Sequence, residues 1–179
     1  MSEITGSDIS RIVHATIRDV PDFPSQGILF KDIGPLVSDP VAFAAVIEHW
    51  RARHTGQVAK VVGIDARGFI FGGALAHALG VGFVPVRKAG KLPGRTIERS
   101  YDLEYGSATL AVQADAFTGG ERVVVIDDVL ATGGTAHAAC ALIEQVGGVV
   151  DEVAVVLELR GLGGRELLTG RAVEALASA

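Results

Sequence analysis

Cysteine is almost missing from this chain: Cys140 is the only one among 179 residues. One thiol closes no intramolecular disulfide and builds no multi-cysteine metal site, so the fold has to hold by packing. Aromatic residues are sparse too, at 6%, which leaves a core of Val, Ile, Leu and Ala. No apolar run approaches the ~20 residues that a membrane-spanning helix needs. The N-terminus carries no signal-peptide pattern. An excess of positive charge is also lacking, with 16 Lys and Arg against 21 Asp and Glu and a formal charge of −5. That balance speaks against a general nucleic-acid binder, whose phosphate contacts need a basic surface. No internal repeat, low-complexity tract or linker divides the sequence. Together these absences describe one domain over residues 1–179, expected to be soluble and cytoplasmic, and long enough to bury a sizeable core.

What the sequence does have is glycine, 23 residues of it, and one stretch around which the rest is organised. Val123, Val124, Val125 and Ile126 are β-branched, stiff at χ1 and too few for a helix, so they read as a strand buried on both faces. Asp127 and Asp128 follow at its C-terminal end. Next come Ala131, Thr132, Gly133, Gly134 and Thr135, and then an Ala-rich segment over 136–146 with helical composition. Strand, acidic pair, Gly/Thr loop and helix start are the arrangement by which open α/β sheets bind ligands. The backbone N–H groups of Thr132 to Thr135 can converge on one anion, where the helix dipole also favours negative charge. The glycines allow close approach, and the threonines add hydroxyl donors. Asp127 and Asp128 stand too near that cradle to bind a phosphate, and suit vicinal hydroxyls or a hydrated Mg²⁺. A ligand with a phosphate at one end and a diol at the other is a phosphorylated sugar. No Gly-Lys-Ser/Thr closes the loop as in a Walker A motif, and it does not match G-x-G-x-x-G. The structural alternative is an N-capped turn beside a solvated acidic pair.

Upstream, residues 7–20 place Ile9, Ile12, Val13, Ile17 and Val20 at helical spacing. Residues 21–35 hold three prolines and two glycines, which forbid continuous regular structure. Phe23, Ile28, Leu29, Phe30 and Ile33 nonetheless make this loop strongly apolar. It either tucks into the core or covers a ligand, and the residues alone leave both open. Asp39-Pro40 is a helix start, capped by Asp with Pro in the first turn. Trp50 falls on its apolar face, while His49 and His54 fall off it and read as solvated. Lys60–Ile64 is a first central strand, followed by Asp65-Ala66-Arg67-Gly68 and a helix closed by Gly80. Arg67 on the ligand-binding edge suits a pyrophosphate oxygen; its alternative is an ion pair with Asp65. After a short strand at 82–86, Arg87, Lys88, Lys91 and Arg95 put four cations into nine residues of a glycine-rich loop. Such a loop suits a polyanion, or is a solvated basic turn. Residues 95–107 read as a mobile hairpin around Tyr101-Asp102-Leu103-Glu104-Tyr105, and 107–113 as an exposed strand. Beyond the central stretch, 151–159 is a buried strand, 160–168 a glycine-rich turn and 173–176 an edge strand.

Val124 to Thr135 resembles the 5-phosphoribosyl-1-pyrophosphate signature of the type I phosphoribosyltransferases. Other segments resemble the adenine-using members of that family. The resemblance covers roughly residues 20–170. It implies an α/β fold with a mainly parallel central sheet flanked by helices, a small N-terminal hood at 21–35 and a lid at 95–107. By the same resemblance Asp127, Asp128, Ala131, Thr132, Gly133, Gly134 and Thr135 bind the phosphoribosyl group. Arg67, Arg87, Lys88 and Lys91 match the segments that hold pyrophosphate; Ala66 stands where the family commonly has Ser, removing one hydroxyl contact. Phe30 matches the residue that stacks on the purine, and Leu29 the one whose backbone meets the base edge. Lys31 matches a basic position beside it where the family often has Arg, and Lys cannot make the bidentate contact. Glu104 matches the proton donor or acceptor for the purine, and Tyr105 the residue that closes over the leaving group.

The implied activity is purine salvage: adenine and 5-phosphoribosyl-1-pyrophosphate giving AMP and pyrophosphate, with Mg²⁺ held through the substrate's pyrophosphate and ribose hydroxyls and no certain direct protein ligand. A homodimer is implied, with neither nucleic acid nor membrane as partner. One alternative is a sister enzyme using xanthine, guanine or hypoxanthine. Another is a non-catalytic regulator that senses phosphoribosyl pyrophosphate.

Overall fold

Short β-branched runs bounded by glycine, with Ala-rich stretches between them, produce an alternating chain of strands and helices. The computed structural model describes residues 6–102 and 107–179. Among these, α1 spans Gly6–Thr16, α2 Gly34–Ser38, α3 Pro40–His54, α4 Gly68–Leu79 and α5 Gly134–Gln145. The strands are β1 (Arg18–Pro21), β2 (Leu29–Asp32), β3 (Lys60–Ile64), β4 (Gly82–Lys88), β5 (Thr96–Asp102), β6 (Ser107–Gln113), β7 (Arg122–Leu130), β8 (Val149–Glu158) and β9 (Ala172–Ser178). Seven of them form one sheet in the order β5-β6-β4-β3-β7-β8-β9. Its β4-β3-β7-β8-β9 portion is parallel, and β6 pairs antiparallel with both β4 and β5.

The sheet is buried on both faces, and β7 shows how its sequence achieves this. Val124 and Ile126 point into one core with Val13, Trp50, Phe71 and Leu75, beneath α1, α3 and α4. Val123 and Val125 point the other way, into a second core with Leu142 and Ile143 of α5. Strand periodicity therefore shares one β-branched run between two layers. The Asp39 carboxylate accepts from Val41 N at 2.8 Å and Ala42 N at 3.0 Å, capping α3 as its sequence predicts. Gly80 closes α4 in the left-handed conformation, at φ 69°. Among the described residues no helix is long and apolar enough to cross a membrane.

Several expectations are corrected. The first helix stops at Thr16, and Val20 belongs to β1, which pairs antiparallel with β2. The apolar loop at 21–35 thus contains a strand, because Leu29–Asp32 finds a partner in a segment that helical spacing had claimed. β7 runs on to Leu130, so Asp127 and Asp128 lie inside the strand rather than after it. The 107–113 strand is not exposed: Leu110, Ala111 and Val112 are buried. Residues 96–102 and 107–113 pair in continuous register as sheet strands. His54 is buried, not solvated, and His49 Nε2 lies 3.0 Å from Glu174 Oε1. Both histidines meet β8 and β9 through a cluster of Arg53, Glu152 and Glu174, a pairing across about a hundred residues that helix spacing does not reveal.

Candidate active site

The chain leaves β3 toward β4 on one side, and leaves β7 toward β8 on the other. The crevice between the C-terminal ends of β3 and β7 is therefore a topological switch point. Glycine sets how tightly it closes. A Cβ on Gly68 would stand 2.6 Å from the carbonyl oxygen of Ile126, so only glycine lets the start of α4 rest on the end of β7. That approach carries Arg67 over the acidic pair: its Nε lies 2.6 Å from Asp128 Oδ2. The contact is off the N–H direction, leaving buried Asp128 Oδ2 without a directed hydrogen bond. A cavity of about 650 Å³ opens here, reached by Asp65, Arg67, Lys88, Asp127, Asp128, Ala131 and Thr135 from the sheet side. Ile28, Leu29, Phe30 and Lys31 line it from the N-terminal hairpin.

The Gly/Thr loop runs from the end of β7 into α5, and Gly133 occupies the left-handed region at φ 84°. It is wedged: a Cβ on Gly133 would lie 2.2 Å from the Gly164 carbonyl oxygen, and one on Gly164 would lie 2.1 Å from that of Ala131. The glycine-rich turn at 160–168 thus braces the loop from behind, a role its sequence does not announce. Thr132 and Gly133 line a cleft of about 70 Å³ next to the main cavity, sharing Asp127, Ala131 and Thr135 with it. Gly134 is the first residue of α5, a helix long enough to present a dipole to the loop. Thr135 Oγ1 donates to the Tyr101 hydroxyl at 3.1 Å.

The four expected pyrophosphate cations separate into two pairs. Arg67 and Lys88 line the cavity. Arg87 instead donates to Asp65 Oδ2 at 3.0 Å and to the Lys91 carbonyl at 3.1 Å, and neither Arg87 nor Lys91 lines the cavity. Asp65 accordingly pairs with Arg87, and not with Arg67, the pairing that stands as the alternative to a pyrophosphate role for Arg67. On the hood side, Phe30 meets Phe23 edge-on at 5.1 Å between centroids. The Arg67 guanidinium stands over the Phe30 ring at 5.7 Å. Lys31 Nζ pairs with Asp19 Oδ1 at 2.8 Å. Glu104 and Tyr105 lie outside the described residues. Sequence reasoning missed Tyr101, Val129 and Leu159, all of which line the cavity. By sequence, Leu159 ends a run that reads only as a buried strand, and Val129 stands between the acidic pair and the loop with no role of its own.

Burial of the Asp127 carboxyl, and then the neighbouring Asp128 charge, push the Asp127 pKa well above the ordinary carboxylate range. The Asp128 backbone N–H opposes this by donating to Asp127 Oδ1 at 2.9 Å. The donor set also bears on a divalent cation. Among the described residues, the one group of three or more potential metal-ligating side chains is His54, Glu152 and Glu174, away from the cavity. The cavity itself offers three carboxylates: Asp65, which Arg87 engages, and the pair Asp127 and Asp128, the latter with an oxygen lacking a directed partner. These carboxylates do not gather into a group of three that could hold one ion, which fits an Mg²⁺ that takes most of its oxygens from substrate and water.

Fold and cavity together define a class: an α/β protein whose switch-point crevice suits a phosphorylated sugar. Comparison with known proteins narrows it. The family described as Phosphoribosyl transferase domain matches residues 40–166. The adenine phosphoribosyltransferase of Acidothermus cellulolyticus is 54% identical over 171 residues, covering 95% of this chain and 97% of that one. The crystal structure of adenine phosphoribosyltransferase from Thermoanaerobacter pseudethanolicus superposes with a TM-score of 0.90 at 45% identity, over 98% of this chain and 100% of that one. The Saccharomyces cerevisiae enzyme, complexed with an imino-altritol bisphosphate and adenine, gives 0.90 at 39% identity over 95% and 99%. The chain belongs to the adenine phosphoribosyltransferases of the phosphoribosyl transferase family.

Proposed function

We propose that the cavity between the ends of β3 and β7 joins adenine to the ribose of 5-phosphoribosyl-1-pyrophosphate, giving AMP and releasing pyrophosphate. The observation that carries this reading is a convergence on one cavity. Ala131 and Thr135 of the Gly/Thr loop, the acidic pair, the cations Arg67 and Lys88 and the Phe30 ring line it from four separate parts of the chain, with Thr132 and Gly133 in the adjoining cleft. The yeast relative, whose structure contains adenine, supports the choice of base.

In this reading the amides of Thr132 to Thr135 and the threonine hydroxyls hold the sugar's terminal phosphate. Asp127 and Asp128 hold the ribose hydroxyls, which fixes the anomeric carbon against the base. Phe30 stacks on the purine, Leu29 meets its edge through the backbone, and Lys31 stands beside it. A purine nitrogen forms the new bond to the anomeric carbon, and the old C–O bond breaks with its electron pair going to pyrophosphate. Arg67 and Lys88 stabilise the negative charge that develops on the leaving group, an electrostatic effect that is often a large share of a rate. Mg²⁺, when bound through substrate oxygens near Asp127 and Asp128, supplies further neutralisation of that charge. Glu104 takes the proton released by the purine and Tyr105 closes over the leaving group; both roles rest on the family resemblance. Arg87 and Lys91 set the shape of the basic loop through their mutual contact. A homodimer and a cytoplasmic location belong to the same proposal, again on resemblance.

The test is pyrophosphate release from phosphoribosyl pyrophosphate in the presence of adenine, guanine, hypoxanthine or xanthine in turn. Release with adenine well above the other three is expected. Release favouring another base would place the chain among the sister enzymes, and none with any base would leave the sensing role.

A further inference from the structure

Tyr101 lies near the C-terminal end of β5, the outermost strand of the sheet, with its ring half-buried against the α5 core. Its hydroxyl is the hydrogen-bond partner of Thr135 Oγ1 at 3.1 Å, and both residues line the main cavity. We propose that Tyr101 is a positioning residue for the sugar's terminal phosphate, acting by orienting the Thr135 hydroxyl. The proposal rests on the reading that the 131–135 loop holds that phosphate.

Proton counting makes the case. The two hydroxyls carry two protons, and the bond between them uses one, whichever donates. In the pair as it stands the threonine donates, so its proton points at Tyr101; for Thr135 to donate to a phosphate, the Tyr101 O–H turns to donate to Thr135 Oγ1, which leaves the threonine proton for the ligand. Threonine on a helix divides between two χ1 rotamers, because its hydroxyl can also bond back to a carbonyl one turn earlier. Thr135 is the second residue of α5, with no helical turn before it to supply such a carbonyl, so the helix itself does not fix its rotamer. The tyrosine has no such freedom: its ring is packed against the core, so its oxygen is a fixed anchor. Tyr101 thereby selects one threonine rotamer and joins the outermost strand to the phosphate loop across 34 residues. Tyr101→Phe keeps the packing ring and removes only the anchor.

Calorimetric binding of AMP and, separately, of pyrophosphate to the full chain tests this in wild type, Y101F, T135V, T135S and the Y101F/T135V double variant. Y101F should weaken AMP about three- to tenfold, the range for losing one neutral hydrogen bond. Pyrophosphate affinity should stay within twofold. T135V should weaken AMP at least as much, T135S should retain it, and the double variant should bind AMP no more weakly than T135V alone. In turnover, Y101F should raise KM for phosphoribosyl pyrophosphate with kcat within twofold. AMP affinity in Y101F within twofold of wild type overturns the proposal. So does an equal loss for pyrophosphate, which would indicate general disturbance of the cavity. Additive losses in the double variant overturn it as well, since Tyr101 would then act independently of Thr135. T135V with unchanged AMP affinity would instead sink the phosphate-loop reading itself, and this proposal with it.

Discussion

Replacing Gly164 with alanine should damage phosphoribosyl binding without touching a single side chain in the cavity. The added Cβ would stand 2.1 Å from the carbonyl oxygen of Ala131 and 2.9 Å from the amide nitrogen of Gly133. A comfortable carbon–oxygen contact begins at about 3.3 Å. The phosphate loop and the turn behind it must therefore separate by roughly 1 Å, the scale of misplacement that can cost about 100-fold in rate. Both colliding atoms are backbone, so no rotamer change relieves the clash. Overpacking of this kind costs about 1–3 kcal/mol. In a domain of this size that lowers the melting temperature by roughly 2–12 °C. Initial rates against phosphoribosyl pyrophosphate should show kcat/KM reduced about 10- to 100-fold, with most of the change in the sugar-phosphate and little in adenine KM. Gly161→Ala is the matched control, since its Cβ would meet nothing within 4 Å on the same turn. G164A that binds AMP and melts as wild type does would refute the bracing role.

Asp127→Asn with Asp128→Asn should weaken phosphoribosyl pyrophosphate at least about tenfold, because hydrogen bonds to charged groups contribute roughly 1.5–3 kcal/mol each; full activity in the double variant removes both from the site. Phe30→Ala should raise adenine KM about tenfold or more, from stacking of about 1–3 kcal/mol per base, with KM for the sugar substrate nearly constant; an equal rise in both would deny the stacking. Glu104→Gln should lower kcat and leave affinity for phosphoribosyl pyrophosphate nearly intact, and the reverse pattern contradicts its proton-transfer role. Burial holds the His54 pKa below its ordinary value, so around pH 6.5 and just beneath it the unfolded chain takes up a proton that the folded chain resists. His54 therefore contributes stability above that range that is lost as pH falls through it. Urea midpoints should drop between pH 7.5 and 5.5, with a shallower slope in His54→Gln; identical slopes in the two proteins would exclude His54 as the cause.

What could be read from the amino acids depended on whether the chemistry was contiguous. The β7–loop–α5 stretch announces itself because β-branched residues, two acids and a Gly/Thr run follow one another in sequence, each with a local conformational consequence. Asp39 as a cap and Gly80 as a helix stop were legible for the same reason. Strand ends were less so. β7 and β4 run past their apolar residues into charged ones, because pairing with neighbours, not side-chain composition, extends a ladder. Val20 went to a helix by spacing, yet β2 recruits it as a strand partner.

The features that escaped all involve partners far apart in sequence. Arg67 and Asp128 meet because Gly68 lets α4 rest on β7, and Gly133 and Gly164 likewise let the phosphate loop rest on the 160–168 turn. Gly164 is indistinguishable by sequence from its neighbour Gly163, although Gly163 has only a side chain near its would-be Cβ, while Gly164 faces backbone. His54 looks solvated on a helical projection, yet Arg53, Glu152 and Glu174 enclose it once β8 and β9 are laid beside α3. A motif thus identifies the atoms that contact substrate, while the backbone approaches that hold those atoms within an ångström are set by which glycine faces which carbonyl. Substitutions behind the loop should therefore discriminate better than substitutions within it between a correct account of this site and a merely familiar one, because only the three-dimensional packing separates Gly164 from Gly161.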